Sequence, residues 1–253
     1  MRGALVYDRE GAKRNEWLIK RLLSCAEERG LDLRLCVAPE IDFDVDFAVV
    51  RTIDPDISRT FEEKGVRVFN NAKVSAIAND KWATYNFCRG LNIPVMHTEL
   101  VRDWSGGFPC VVKSRAGHGG KEVFWVKNEA ELSAYPPEYI AQKPCSELGE
   151  DMRVYVLGNK VLAAVLRKAR TGFKSNFSLG GSAYLAEATD GQREVISRIC
   201  GGLSPDFIAV DFIRDRGGWV LNEIEDSAGT RMLYALNVCD PAKLYIDYIS
   251  KNI

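Results

Sequence analysis

The stretch VLNEIEDSAGT, residues 220 to 230, sets Glu223, Glu225 and Asp226 into an otherwise apolar run. Unpaired carboxylates are costly to bury, so something positive is required nearby. A further acid, Asp211, lies in DFIAVDFIRD, and the turn RDRGG joins the two stretches as an antiparallel hairpin. Side chains alternate along a strand. With the turn centred near Gly217, Asp211 falls opposite Glu223, Glu225 sits one step along the same face with Leu221, and Asn222 points away. Hard oxygen donors gathered in this way suit Mg²⁺, which keeps water and phosphate oxygens as its remaining ligands. A magnesium nucleotide is one expectation, with two ions and Mn²⁺ as a substitute. A solvated strand face, or ordinary salt bridges to Lys and Arg, is the other.

A second cluster points the same way. In VVKSRAGHGGKEV, Lys113 ends an apolar strand, and Gly117, Gly119 and Gly120 allow the backbone to approach a ligand and present its N–H groups. Phosphate is the natural guest, although a plain hairpin turn uses the same residues. The loop is not a P-loop: Arg115 stands where the first glycine is required, Lys121 is followed by Glu122, and a strand comes next. His118 suits an exposed loop position or a phosphate contact better than a catalytic base.

These residues need elements to position them. GALVYD, LDLRLCV, DFAVVR and VRVFN read as short strands, alternating with helical NEWLIKRLLSCAEERG and ISRTFEEKG. That alternation predicts a small parallel sheet to about residue 70. Residues 71 to 90 read as helix and carry Asp80, Lys81 and Trp82. Beyond GLNIP the pattern becomes antiparallel: a hairpin around the glycine loop, a short helix at ELSAY, a strand YIAQKP, and a hairpin DMRVYVLGNKVLAAVLRKA. Helix QREVISRICGGL then precedes the acidic hairpin. The fold expected is α/β (α+β), with units at 1–75, 76–140 and 141–253.

Composition bounds the function classes. The chain has 253 residues, 46% hydrophobic and 27% charged, with a formal net charge of −1, which gives no global electrostatic case for nucleic acid. Seven cysteines form no CxxC pair, and only His97 and His118 are available to join them, so structural zinc is not expected. Their odd number and scatter predict reduced thiols in a cytoplasmic chain. No apolar run approaches the roughly 18 residues of a membrane helix, and Asp8 and Glu10 interrupt a secretory signal.

The order of these features carries a resemblance. Lys81 follows Asp80 on a helix, Lys113 precedes a glycine loop, YIAQKP connects to DMR at 151 to 153, FKSNFSLGG spans 173 to 181, and Asp211 precedes NEIEDSAG. Over nearly its whole length the chain resembles the ATP-grasp superfamily, most closely the carboxylate–amine ligases similar to the ribosomal-protein glutamate ligases. That resemblance implies two α+β subdomains clasping ATP behind an amino-terminal βαβ domain. Lys81 and Lys113 would hold phosphates, the loop from Gly117 through His118, Gly119 and Gly120 would close over them, and backbone from Gln142 through Lys143 to Cys145 would meet adenine. Asp151 would meet the ribose. Asp211 and Glu223 would bind magnesium, while Glu225 stands where the family usually has Asn and Lys143 where the branch commonly has an acid. Arg153, Arg167, Lys174 and Asn176 are candidates for γ-phosphate, acyl-phosphate or acceptor contacts, or are surface charges.

The activity implied is ATP-dependent joining of a carboxylate donor to an amine acceptor through an acyl phosphate, with the acceptor a small molecule, amino acid or peptide. An ATP-dependent small-molecule kinase and a nucleotide-binding regulatory protein without turnover use the same apparatus. A homo-oligomer is compatible with any of these.

Overall fold

In the computed structural model, residues 1–117, 122–170 and 181–253 are described. His118, Gly119, Gly120, Lys174 and Asn176 lie outside them.

The amino-terminal alternation produces β1 (Arg2–Tyr7), α1 (Arg9–Arg14), α2 (Glu16–Glu28), β2 (Asp32–Val37), β3 (Phe47–Val50), α3 (Pro55–Glu63) and β4 (Arg67–Phe69). The four strands form a parallel sheet in the order β2-β1-β3-β4. Phe47, Ala48, Val49 and Val50 are all buried, as expected for a strand covered on both faces. Amphipathic α2 presents Leu18, Ile19, Leu22, Cys25 and Ala26 to the core.

The helical stretch from 71 divides into α4 (Ala72–Ala78) and α5 (Lys81–Gly90). The helix expected over residues 71 to 90 is broken at Asn79 and Asp80, and the reason is local. Asn71 caps α4, and Asp80 starts a new helix by accepting the backbone N–H groups of Trp82 and Ala83. Lys81 therefore occupies the first turn of α5.

The next sheet contains β5 (Thr98–Leu100), β6 (Cys110–Lys113), β7 (Val123–Val126) and, after α6 (Glu129–Leu132), β8 (Ile140–Gln142), in the order β5-β8-β6-β7. The last sheet contains β9 (Glu147–Leu157), β10 (Lys160–Lys168), β11 (Ser182–Ala186), β12 (Phe207–Asp215) and β13 (Gly218–Glu225), with α7 (Asp190–Leu203) preceding β12. Its order is β11-β10-β9-β12-β13, and every pairing is antiparallel. Two closing helices, α8 (Arg231–Ala235) and α9 (Pro241–Ile249), return the chain to the first unit. Ala242, Tyr245, Ile246 and Ile249 of α9 join Leu5, Leu18 and Leu22 in one core.

Asn70 ties the units together through buried polar groups. Its side-chain oxygen accepts from the Asp206 and Phe207 N–H groups at 2.6 and 2.9 Å, and its amide donates to Asp226 Oδ1 at 2.7 Å. The chain leaving β13 is thus fixed against the chain leaving β4.

Candidate active site

Asp211 pairs with Glu223 across β12 and β13, as the count by twos predicts, and Ala209 pairs with Glu225. The hairpin is not regular, however. Phe212 pairs with Leu221, leaving Asn222 as an extra residue between two pairs. The bulge changes the alternation and corrects two expectations. Leu221 lies with Ile224 and Phe212 in an apolar cluster rather than with the glutamates. Asn222 does not point away from the site, because Lys113 Nζ donates to its Oδ1 at 2.9 Å. The spacing held the signal, since Leu221 and Ile224 are three apart and strict alternation cannot place both in one core.

Asp211, Glu223 and Glu225 each offer an oxygen within 4.8 Å of the others. Their charge is compensated by cations of the chain itself. Arg153, opposite Asp211 on β9, donates Nε and Nη2 to the two Asp211 oxygens at 2.8 and 2.7 Å. Arg153 also pairs with Glu225. Arg167 Nη2 reaches Asp211 Oδ2 at 2.8 Å and its Nε pairs with Asp151. Lys81 Nζ lies 2.8 Å from Glu223 Oε1. Asp151 and Arg167 are both buried, so the residue expected at a ribose forms an ion pair within the sheet.

The titrations follow from these neighbours. Burial alone would raise the Asp211 pKa, but Arg153 and Arg167 outweigh it and hold the carboxyl down at about 2. Glu225 moves upward, because burial and the nearby Asp211 and Glu223 exceed the help it gets from Arg153. Lys113 is 9% exposed, and burial lowers its ammonium to about 8 against the opposing attraction of Glu223. It is a cation held with little water around it, ready to gain from an anionic ligand.

The first turn of α5 holds residues 115 to 117, where the loop begins. Lys81 Nζ donates to the Gly117 carbonyl, the Lys81 N–H donates to Arg115 O at 3.0 Å, and Arg115 pairs with Asp80. A Cβ at Gly117 would lie 2.8 Å from Glu122 Oε2, the far end of a flexible side chain, and 3.2 Å from Ser114 Cβ, so a larger residue there would make both give way. At the end of β8, Gln142 is buried and donates to Tyr85 and, at 3.2 Å, to Thr98. Lys143 is exposed and Cys145 partly buried. The sequence reading missed Asn222, and it saw Arg115 only as the residue that spoils a P-loop.

This arrangement places two lysines from one sheet and helix against a carboxylate strand of another sheet. Residues 92–249 match the RimK-like ATP-grasp domain. The chain belongs to that family. A probable alpha-L-glutamate ligase of Maridesulfovibrio salexigens is 30% identical over 78% of this chain and 71% of its own length. An uncharacterized protein, MG011 of Mycoplasma genitalium, is 26% identical over 92% of this chain and 86% of its own. The D-cycloserine synthetase DcsG has the same fold, with a TM-score of 0.77 at 16% identity over 100% and 99% of the two chains. A RimK domain ATP-grasp protein of Sphaerobacter thermophilus has a TM-score of 0.74 at 18% identity, covering 98% of this chain and 99% of its own. Among the described residues, no helix of this ATP-grasp protein is long and apolar enough to cross a membrane.

Lys113→Ala is expected to weaken ATP binding at least tenfold without unfolding the chain. The wild-type affinity should also fall as pH rises above about 8, where the free ammonium loses its proton. Bound phosphate favours the charged form, so binding above that pH must take up a proton. Titration of ATP at pH 7, 8 and 9 checks both effects, and this pH dependence should be absent from the alanine variant.

Proposed function

We propose that this ATP-dependent carboxylate–amine ligase activates its acid as an acyl phosphate. A carboxylate oxygen attacks the γ-phosphorus while the bond to ADP breaks. The amine then attacks the acyl carbon, phosphate leaves with the former carboxylate oxygen, and the amide nitrogen loses its surplus proton. The observation that carries this reading is the convergence of Lys113 and Lys81 on Asn222 and Glu223, two adjacent residues of β13. Positioning and charge neutralisation are the main demands of phosphoryl transfer.

In this reading Lys113 and Lys81 hold the nucleotide phosphates, and the loop from Gly117 through His118, Gly119 and Gly120 covers them. Backbone between Gln142 and Cys145, past Lys143, receives adenine. Asp151 serves the ribose side through its pairing with Arg167, and Arg167, Lys174 and Asn176 serve the acyl phosphate or the acceptor.

Asp211, Glu223 and Glu225 fit magnesium by donor type, since all are hard oxygens and each carboxylate has about four lone-pair sites, not all taken by its cationic partners. Two ions with Glu225 as a ligand is our assignment, with Mn²⁺ able to substitute. When bound, the metal neutralises phosphate charge as the γ-phosphoryl group moves. Arg153 and Arg167 keep Asp211 ionised and fixed in the meantime. The amidation partner we favour is an amino acid, glutamate first, because relatives carry that name. The seven cysteines are free, which supports a reducing, cytoplasmic setting.

The test uses an acid labelled with ¹⁸O in its carboxylate, chosen by screening acid and amine pairs for an ATP-dependent mass gain. ADP, phosphate and amide should form in equal amounts, with one label in the phosphate. AMP and pyrophosphate, or unlabelled phosphate, would reject the mechanism. ADP release with a stable phosphorylated product and no amide would identify a kinase.

A further inference from the structure

Three consecutive residues, Asn79, Asp80 and Lys81, touch both sides of the site. Asn79 Nδ2 donates at 3.2 Å to Oδ2 of Asp226, the residue that follows Glu225 as the chain leaves β13. Asp80 meets the other side: Arg115, two residues beyond Lys113 at the end of β6, donates Nε to its Oδ1 at 3.1 Å and Nη2 to its Oδ2. Lys81 Nζ spans the two, on Gly117 O from the β6 side and 2.8 Å from Glu223 Oε1 on β13.

The Asp80 carboxylate has two tasks at once. Its Oδ1 caps α5 by accepting the Trp82 and Ala83 N–H groups at 2.9 and 3.3 Å, while both oxygens take the Arg115 guanidinium fork. The Arg115 carbonyl accepts the Lys81 N–H at 3.0 Å. Arg115 therefore holds the start of α5 through its backbone and its side chain together. A lysine has a long flexible stem, so the place of its ammonium depends on where its backbone starts and what its head can reach. Among the described residues, Lys81 Nζ has one partner on each side of the site, which leaves one of its three N–H donors for an anion. The Arg115 and Asp80 side chains are 39% and 27% exposed, so solvent screening keeps the contribution of their pair to folding small.

We propose that Arg115 is a positioning residue for the nucleotide phosphates: through Asp80 it sets Lys81 in register with Lys113, without itself touching ATP. This deepens the ligase reading and rests on it for the assignment of Lys81 to the phosphates. Loss of the pair frees the end of β6 from the start of α5, and the two lysines then no longer meet one phosphate chain in a fixed arrangement. The defect belongs to the phosphates alone, because that reading receives adenine elsewhere, between Gln142 and Cys145. A guanidinium that touched phosphate directly would behave in the opposite way toward Asp80, since removing the carboxylate would release it to the ligand.

Calorimetric titration of adenosine, AMP, ADP and ATP at constant Mg²⁺ into wild type, Arg115→Met, Asp80→Asn and the double variant tests this role. Asparagine keeps the oxygen that caps α5 and removes the carboxylate, which separates the ion pair from the cap. Each single variant should bind ATP about tenfold more weakly, from the misplacement of Lys81, and adenosine as wild type does. The double variant should lose no more than either single one, because both changes remove the same pair. Four results overturn the role: wild-type ATP affinity in Arg115→Met, an equal loss for adenosine and ATP, additive losses in the double variant, or a loss in Arg115→Met with unchanged or tighter ATP binding in Asp80→Asn, which would mark direct contact with phosphate. Lys81→Ala separates the two readings. Unchanged ATP affinity in that variant would remove Lys81 from the phosphates, whereas a loss there with none in Arg115→Met would overturn the positioning role alone.

Discussion

Glu223→Gln is expected to slow formation of ADP, phosphate and amide together, by about a hundredfold or more, while changing folding stability little. Glu223 faces Asp211 across the hairpin and Lys81 at 2.8 Å, but its side chain remains 20% exposed. Glutamine keeps the shape and can still accept from Lys81, which also donates to the Gly117 carbonyl, so neither side chain is left without a partner. In the proposed assignment the Glu223 charge holds a hard cation and sets Lys81 beside the phosphates. The three products should be followed in one assay under saturating magnesium ATP, with urea unfolding of the same variant as control. A variant that keeps full turnover would remove Glu223 from the metal assignment.

Asp211→Asn should behave differently, with unfolding free energy falling by about 3–5 kcal/mol in addition to the loss of turnover. Asp211 is 3% exposed and both its oxygens are held by guanidinium groups. The amide keeps the shape but leaves Arg153 and Arg167 short of a buried counter-charge. Urea unfolding at neutral pH measures the loss. Acid provides a second route to the same state. The folded-state pKa is depressed to about 2, so Asp211 contributes stability above its ordinary carboxylate pKa and loses it as pH falls toward 2. The wild-type and variant stabilities should therefore converge in strong acid, and parallel curves down to pH 2 would contradict the pairing. The contrast with Glu223 comes from burial, since both are strand carboxylates with cationic neighbours.

Much of the site was legible in the sequence because hairpins and helix caps are local. The RDRGG turn and the period of two brought Asp211 opposite Glu223 without any tertiary information. Asp80 before Lys81 was a helix start because its side chain accepts the first free N–H groups, although the sequence reading ran the helix through it. The apolar alternation up to residue 70 and the antiparallel grammar after it fixed the change from one sheet type to the other, as the observed pairings show.

Tertiary structure decided which charges meet. The sequence required a cation near Glu223 and Glu225 but could not choose between magnesium and arginine, because Arg153 and Arg167 reach Asp211 only through the pairing of β9 with β12 and β10. Asn222 entered the site because a bulge shifted the alternation by one residue, and Lys113 could meet it only once two separate sheets were packed together. Arg115 lies 35 residues from Asp80, and no local pattern marked their pairing. Backbone periodicity is set by near neighbours, whereas ion pairing and desolvation depend on distances that only the folded chain defines.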